Sequence, residues 1–123
     1  MGLFTRRKRA PGATAAPSPR EAQTATRAHF REFVRTRVGV EAFIEPVTSS
    51  TPMTLVLIAT SGEWTRRRVP DGKTATEIAR SMGIPVYDVH RTGYPQRMRD
   101  WNSRQSILAK RERLARMRGL QDS

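Results

Sequence analysis

The chain of 123 residues carries 23 Lys and Arg residues against 11 Asp and Glu residues, so its formal net charge at pH 7 is +12. The absence of cysteine excludes disulfides, thiolate zinc sites and a cysteine nucleophile. The longest apolar run, residues 53–59, is too short to span a bilayer, and the start of the chain lacks the apolar segment of a secretory signal. One small domain in the cytoplasm is therefore expected, without a membrane span.

The positive charge is concentrated at the two ends of the chain. Residues 1–20 hold five basic and no acidic residues, and residues 104–123 hold six basic and two acidic residues. Twenty of the 23 cations are arginine, whose planar group grips phosphate and stacks on bases, although a GC-rich genome produces the same bias through its codons. A surplus of this kind favours an anionic partner.

A flexible basic tail and then a helix are predicted at the N-terminal end. Residues 1–19 contain "PGATAAPSP", whose proline, glycine and small residues bury too little surface to order the segment. From Arg20 onward, apolar residues recur at helical spacing, and Gly39 is suited to end a helix in a left-handed conformation. A first helix is predicted over residues 21–38, within a folded domain over residues 20–102.

Three strands are predicted next, as an antiparallel meander. They are "VEAFIEPV", the wholly apolar and therefore central "MTLVLIA", and "WTRRRV". Alternation in the third places Trp64, Arg66 and Arg68 on one face and Thr65, Arg67 and Val69 on the other. The arginines indicate either a surface that faces phosphate or a solvated edge strand whose charges prevent edge-to-edge pairing.

The stretch "TATEIARSMGIPVYDVHR" at residues 74–91 allows two interpretations. Thr74 and Glu77 form a capping box and Gly83 supplies a stop, which predicts a helix over residues 75–82. The following residues, 84–92, form either a further strand or, starting at Pro85, the recognition helix of a helix-turn-helix. The β-branched and aromatic residues of "IPVYDV" favour the strand.

The C-terminal part combines aromatic and basic residues. In "GYPQRMRDWNSRQ", two aromatic rings alternate with arginines, which is typical of base stacking with phosphate contact and equally of a loop anchored by its aromatic residues. From Ser103 a basic helix is predicted, an arm that orders on RNA or in an acidic protein groove. The residues expected to contact nucleic acid are Arg66, Arg67, Arg68, Tyr94, Arg97, Arg99, Trp101, Arg104, Lys110 and Arg111.

The segments "GVEAFIEP", "GEWTRRRVP", "IPVYDV" and "GYPQRMRDWN" resemble a family of small, basic, mostly uncharacterised actinobacterial proteins, some of which carry a generic oxidoreductase label. The residues give that label no support, because the chain has no dinucleotide-binding glycine turn, no phosphate loop and no cysteine. The nearest set of catalytic residue types is Asp88, His90, Tyr94 and Asp100. Its aspartates are expected to pair with nearby arginines, so no catalytic residues, metal or cofactor are expected.

The sequence as a whole predicts a small α+β domain. It should contain an antiparallel sheet of three to four strands with helices packed on it, a basic N-terminal tail, and a basic C-terminal helix over residues 103–123. The expected function is non-enzymatic binding of nucleic acid, more specifically of structured RNA or of a ribonucleoprotein surface such as that of the ribosome. The alternatives are an adaptor or assembly subunit of a larger protein complex and a helix-turn-helix DNA-binding regulator.

Overall fold

The computed structural model describes residues 18–122, so the predicted tail lies outside the described residues except for its last two positions. A four-stranded sheet with helices on both faces forms the α+β domain. In chain order the elements are α1 (Pro19–Thr36), β1 (Glu41–Glu45), β2 (Thr54–Ile58), β3 (Trp64–Arg68), α2 (Gly72–Ser81), β4 (Val86–Asp88), α3 (Val89–Thr92) and α4 (Gln96–Asp122).

Helix α1 begins at a capping box. The backbone N–H of Glu21 donates to Ser18 Oγ at 3.1 Å, and the backbone N–H of Ser18 donates to Glu21 Oε1 at 3.2 Å. These contacts satisfy donors that a helix start leaves unpaired, and Pro19 fits the first turn because it has no N–H. The helix therefore starts slightly earlier than predicted. Gly39 does adopt a left-handed conformation, with a φ of +63°, but in the turn into β1 rather than at the helix end.

The sheet has the strand order β3-β2-β1-β4 and is mixed. Strands β1, β2 and β3 form the predicted antiparallel meander, whereas β4 pairs with β1 in parallel, which corrects the prediction of an antiparallel sheet. Helix α2 is the physical reason. It returns the chain to the end of the sheet where β3 began, so β4 runs in the same direction as β3 and hence as β1.

The cap of α2 differs from the predicted one. Asp71 is the N-cap, and its Oδ1 accepts a hydrogen bond from the backbone N–H of Thr74 at 2.7 Å. The prediction of a capping box between Thr74 and Glu77 was therefore wrong, because an aspartate three residues earlier fills the capping position. The helix consequently starts at Gly72, before the predicted residue 75.

The segment after α2 is a strand, as the favoured interpretation predicted. Gly83, with a φ of +69°, turns the chain out of α2. The carbonyl oxygen of Pro85 then accepts a hydrogen bond from the backbone N–H of Ala42 in β1 at 2.9 Å. This pairing fixes β4 at the sheet edge, and only the single turn of α3 follows it. The helix from Pro85 that a helix-turn-helix requires is not formed, which corrects that alternative.

Apolar residues are buried on both faces of the sheet. On one face, called the α1 face, they pack under α1 and α2; these residues are Phe30, Phe33, Val40, Ala42, Leu55, Leu57, Ala59, Val69, Ala75, Ile78 and Ala79. On the opposite α4 face, Phe43, Val56 and Ile58 pack against Met98 of α4. Every apolar residue of β2 is fully buried, because this strand is covered on both sides, and its predicted central position is confirmed.

Helix α4 is longer than the predicted C-terminal helix. It starts at Gln96 rather than at Ser103, so the aromatic and basic segment before Ser103 is helical as well. Residues 96–104, here called the root, lie beside the sheet, and Met98 in this segment is buried. All side chains of residues 105–121, here called the arm, are exposed. The arm therefore extends the helix beyond the packed part of the domain.

Candidate nucleic-acid interface

The three arginines of β3 point to two different faces of the sheet. The register pairs Arg66 with Val56 and Arg68 with Thr54, which places both of these guanidinium groups on the α4 face. Arg67 lies on the α1 face, where its Nη2 is 3.5 Å from Nδ1 of His29. The structure thus has the alternation expected from the sequence, and it separates Arg67 from the other arginines of the strand.

Glu45 of β1 holds Arg66 in a fixed orientation. The Nε and Nη2 atoms of Arg66 donate to the two carboxylate oxygens of Glu45 at 2.6 and 2.8 Å. The guanidinium also lies over the ring of Trp64, 4.9 Å from its centroid. The same carboxylate accepts hydrogen bonds from the hydroxyl groups of Thr54, at 2.5 Å, and Tyr94. With these contacts made, 39% of the Arg66 side chain remains exposed.

The carboxylate of Glu45 stays charged although only 15% of its side chain is exposed. Burial raises the pKa of Glu45, but the hydrogen bonds from Arg66, Thr54 and Tyr94 lower it by more, so the net pKa lies below the usual value. Burial and the neighbouring carboxylate both raise the pKa of Tyr94. The phenol is therefore a stable hydrogen-bond donor to Glu45, while the ring of Tyr94 packs against the apolar cluster of the α4 face.

Arg97 secures the root of α4 to the sheet. Its Nε donates to the carbonyl oxygen of Ala59 at 3.0 Å, and its Nη2 donates to Glu41 Oε1 at 2.5 Å. Only 29% of the Arg97 side chain is exposed. The sequence prediction gave this residue a phosphate contact. The structure instead places its guanidinium between the end of β2 and the acidic start of β1, where it satisfies groups of the domain itself.

Further contacts join the root to the turn between β2 and β3. Trp64 Nε1 donates to Asn102 Oδ1 at 2.8 Å, and Arg104 Nη2 donates to the carbonyl oxygen of Ser61 at 3.1 Å. The guanidinium of Arg104 also lies 5.9 Å from the centroid of the Trp101 ring. Trp101 and Arg104, both predicted to contact nucleic acid, thus take part in positioning the helix.

Sequence reasoning missed the residues that hold these cations in place. Glu41 and Glu45 lie four residues apart in β1, so alternation places both on the α4 face. Each accepts hydrogen bonds from an arginine. The signal was present, since "EAFIE" puts both carboxylates on the same face of a strand. Which arginine each would meet depends on the path of α4, which the sequence pattern did not specify.

The cations of the arm have no such partners. Five of its side chains are basic and only Glu112 is acidic; the basic residues are Lys110, Arg111, Arg113, Arg116 and Arg118. None of these five forms an ion pair or hydrogen bond with its side chain within residues 18–122. Arg99 of the root donates only to Gln96 Oε1, at 2.9 Å, and faces solvent. The strongest uncompensated positive charge of the described chain therefore lies along α4.

Three members of the set of catalytic residue types, Asp88, Tyr94 and Asp100, are engaged in structural hydrogen bonds. Asp88 caps α3, because its Oδ1 accepts a hydrogen bond from the backbone N–H of His90 at 2.8 Å. Asp100 Oδ1 accepts one from Gln96 Nε2 at 3.0 Å, and the hydroxyl of Tyr94 is committed to β1. The expectation that these aspartates pair with arginines was therefore wrong, because a helix start and a neighbouring amide take that place.

Comparisons with models of protein families, with curated proteins and with solved structures return no match to this chain. The resemblance to the actinobacterial family remains a prediction from the sequence. Across residues 18–122, no helix combines the length and apolar character needed to cross a membrane.

Proposed function

We propose that this protein binds nucleic acid through the arm and performs no chemistry on it. One observation carries the proposal: the arm is an exposed helix with five cations and one carboxylate, and those cations have no ion-pair partner in the described chain. Lys and Arg side chains gain free energy on a polyanion because they release its condensed counterions. A projecting helix can bring all of them to phosphates without rearranging the domain.

Structured RNA is the partner that the distribution of charge favours. Successive helical residues are 100° apart, so Arg111 and Arg118 share one side of the arm, whereas Arg116 lies on nearly the opposite side. Cations around the whole circumference suit phosphates from more than one strand of a folded RNA or of a ribonucleoprotein surface. Direct reading of DNA sequence would instead require one face dedicated to base edges.

Neighbouring cations of the domain extend the proposed interface. Arg99 lies on the same helix as the arm and faces solvent, and Arg68 is exposed on the α4 face of the sheet. Arg67 and Arg97, which the sequence analysis expected to contact nucleic acid, are not part of the proposed interface. The first lies on the α1 face beside His29, and the second is engaged with backbone carbonyls and a carboxylate.

The proposal is tested by the salt dependence of RNA binding. A variant with Lys110, Arg111 and Arg113 changed to glutamine removes three charges from the arm. In fluorescence anisotropy with a structured RNA, the slope of log affinity against log salt should become shallower by about 2 to 3, since each lost phosphate contact contributes about 0.7 to 0.9. Duplex DNA of the same sequence should compete poorly.

A charge-matched control separates the arm from net charge. Arg20, Arg31 and Arg80 are exposed on α1 and α2, and their replacement by glutamine removes the same three charges from the other side of the domain. This control should keep nearly the full slope. Equal slopes for the two variants, or an unchanged slope in the arm variant, would refute binding through the arm.

A second candidate function is supported by the apolar side chains of the arm. Ile107, Leu108, Leu114 and Met117 are each about half exposed, at 49–57%. Such residues become buried when a helix lies in a groove of a protein partner, as an adaptor or assembly subunit requires. Changing Leu108 and Leu114 to alanine should then release the partner from the purified native complex, including after nuclease treatment, whereas RNA binding would be lost mainly with the charges.

A further inference from the structure

A groove of about 460 Å³ opens on the α4 face, at the end of the sheet remote from the root of α4. The loop between β1 and β2 forms one wall with Pro46 and Pro52, and the residues around α3 form the other with Val89 and Tyr94. Its volume lies within the range of about 300 to 1,000 Å³ that is common for small-molecule sites.

The groove offers two cations to an anionic ligand. Arg66 and Arg68 project from alternate positions of β3 on the same face. Arg68 is exposed and has no partner in the described chain, while the contacts with Glu45 orient Arg66 and leave 39% of its side chain exposed. A guanidinium held in place by a carboxylate loses less conformational entropy when it binds a ligand.

The carboxylate of Glu45 offsets the charge of Arg66, so the uncompensated positive charge of the groove is that of Arg68. Both of its oxygens already accept hydrogen bonds, from Arg66, Thr54 and Tyr94, and little of the side chain reaches solvent. In the groove an anion therefore meets the exposed Arg68 and the Arg66 side chain, which is 39% exposed, more readily than Glu45, which is 15% exposed. His90 at the rim adds a further hydrogen-bonding ring.

The walls of the groove favour a ligand that carries an apolar or aromatic group beside its anionic group. Two prolines, a valine and a tyrosine give apolar surface next to the two guanidinium groups. Phosphate alone would leave this surface uncovered, whereas a nucleotide combines a phosphate with a flat base that stacks on proline and aromatic side chains.

We propose that this groove binds one nucleotide, with its phosphate at Arg68 and the neighbouring Arg66 and its base between the proline wall and Tyr94. The ligand is either a free nucleotide or one residue of an RNA chain, since both offer the same chemistry. The second source rests on the proposed function, and the first is independent of it.

The test uses the full chain, labelled for nuclear magnetic resonance, with four probes: inorganic phosphate, uridine monophosphate, adenosine monophosphate and a single-stranded tetranucleotide. Signals of Thr51, His90 and Tyr94, which line the groove, should shift with a nucleotide and much less with phosphate. Arg68→Gln should weaken nucleotide binding about tenfold, because it removes a charge-assisted hydrogen bond. Arg68→Lys should recover part of the affinity.

Control variants make the result specific to the groove. Arg80→Gln removes an exposed charge from α2 and should leave nucleotide affinity unchanged. His90→Ala changes the rim and should weaken binding while the rest of the spectrum keeps its native dispersion. Loss of affinity in the Arg80 variant equal to that in the Arg68 variant would overturn the proposal.

The outcomes also separate this proposal from the function proposed for the arm. Shifts with the mononucleotides establish a site for a free nucleotide, and shifts with the tetranucleotide alone establish a site for a residue of RNA. If structured RNA binds through the arm but no probe moves the groove signals, the groove proposal is wrong and the arm proposal stands. If nucleotides bind in the groove while the arm variant keeps its full salt slope, the arm proposal is wrong and the groove proposal stands.

Discussion

The carbonyl oxygen of Arg97 lies 2.0 Å from the position that a Cβ atom would occupy on Gly62. Gly62 has a φ of +93° in the turn between β2 and β3, a conformation that side chains disfavour. The turn and the root of α4 therefore approach each other more closely than any other residue type would allow. This contact helps determine the direction in which the arm leaves the domain.

Gly62→Ala should destabilise the fold by about 3 kcal/mol, because the new methyl group meets backbone atoms and the residue keeps a positive φ. The measurement is the free energy of unfolding in urea. Gly72→Ala is the matched control, since a Cβ there has nothing within 4 Å, and it should change stability by less than about 1 kcal/mol. Equal stabilities for the two variants would show that the close approach is not a feature of the folded protein.

Arg97 and Arg99, two positions apart on α4, should respond in opposite ways to substitution. Arg97→Gln should cost about 1 to 3 kcal/mol of stability, because Glu41 and the carbonyl of Ala59 lose a charged donor. Arg99→Gln should leave the thermal midpoint nearly unchanged and weaken RNA binding modestly. Thermal unfolding and anisotropy on both variants measure the two effects. If the Arg97 variant kept its stability but bound RNA more weakly, this would show that Arg97 contacts RNA and does not mainly stabilise the domain.

Glu45→Gln should lower stability by about 1 to 2 kcal/mol at neutral pH, because a neutral amide replaces the carboxylate that Arg66 contacts. The pKa of Glu45 in the folded protein lies below its usual value of 4.5. The stabilisation is therefore complete above that value and is lost as the pH falls through the folded pKa. Unfolding curves between pH 3 and pH 7 should show the two proteins converging at the acid end. A difference that stays constant over this range would contradict the role of the charge.

His29 gives a second pH dependence with a different range. Burial lowers its pKa below the usual value of 6.5, and the charges of Arg67 and Arg37 lower it further. The unfolded chain binds this proton more readily, so stability should decline as the pH falls below about 6.5 and level off below the folded pKa. Arg67→Gln should raise the pKa of His29 in an NMR titration. An unchanged pKa of His29 in this variant would show that the charge of Arg67 does not act on it.

Local patterns predicted most of the fold. The apolar run of β2, the alternation in β3 and the end of α2 just before Gly83 each follow from one short stretch of sequence. The errors arose where two signals competed. Thr74 and Glu77 have the residue types of a capping box, in which the side chain of Glu77 would accept a hydrogen bond from the backbone N–H of Thr74. Asp71 accepts from that N–H instead and is the N-cap.

The candidate site was harder to predict because it depends on contacts far apart in sequence. Arg97 and Arg99 are indistinguishable as letters in "QRMRD", and it is the way α4 packs on the sheet that turns Arg97, and not Arg99, toward Ala59 and Glu41. Likewise, Arg66 and Arg68 are alike in pattern. The strand register aligns Glu45 with Thr54 and Arg68, yet it is the guanidinium of Arg66 that reaches this carboxylate, while Arg68 stays open. The exposure of the arm could be predicted without knowing such long-range contacts, because it follows from the composition of the segment.

The strand order has a consequence for how the chain folds. β1 is the first strand in sequence, yet one of its two edges is covered only by β4, which follows the crossover through α2. A chain folded no further than β3 would therefore present unpaired backbone groups of Ala42 and Ile44 at an open strand edge, a surface that invites pairing between chains. The three residues of β4 close that edge. In the folded protein, residues 86–88 therefore protect this edge of β1 from pairing with another chain.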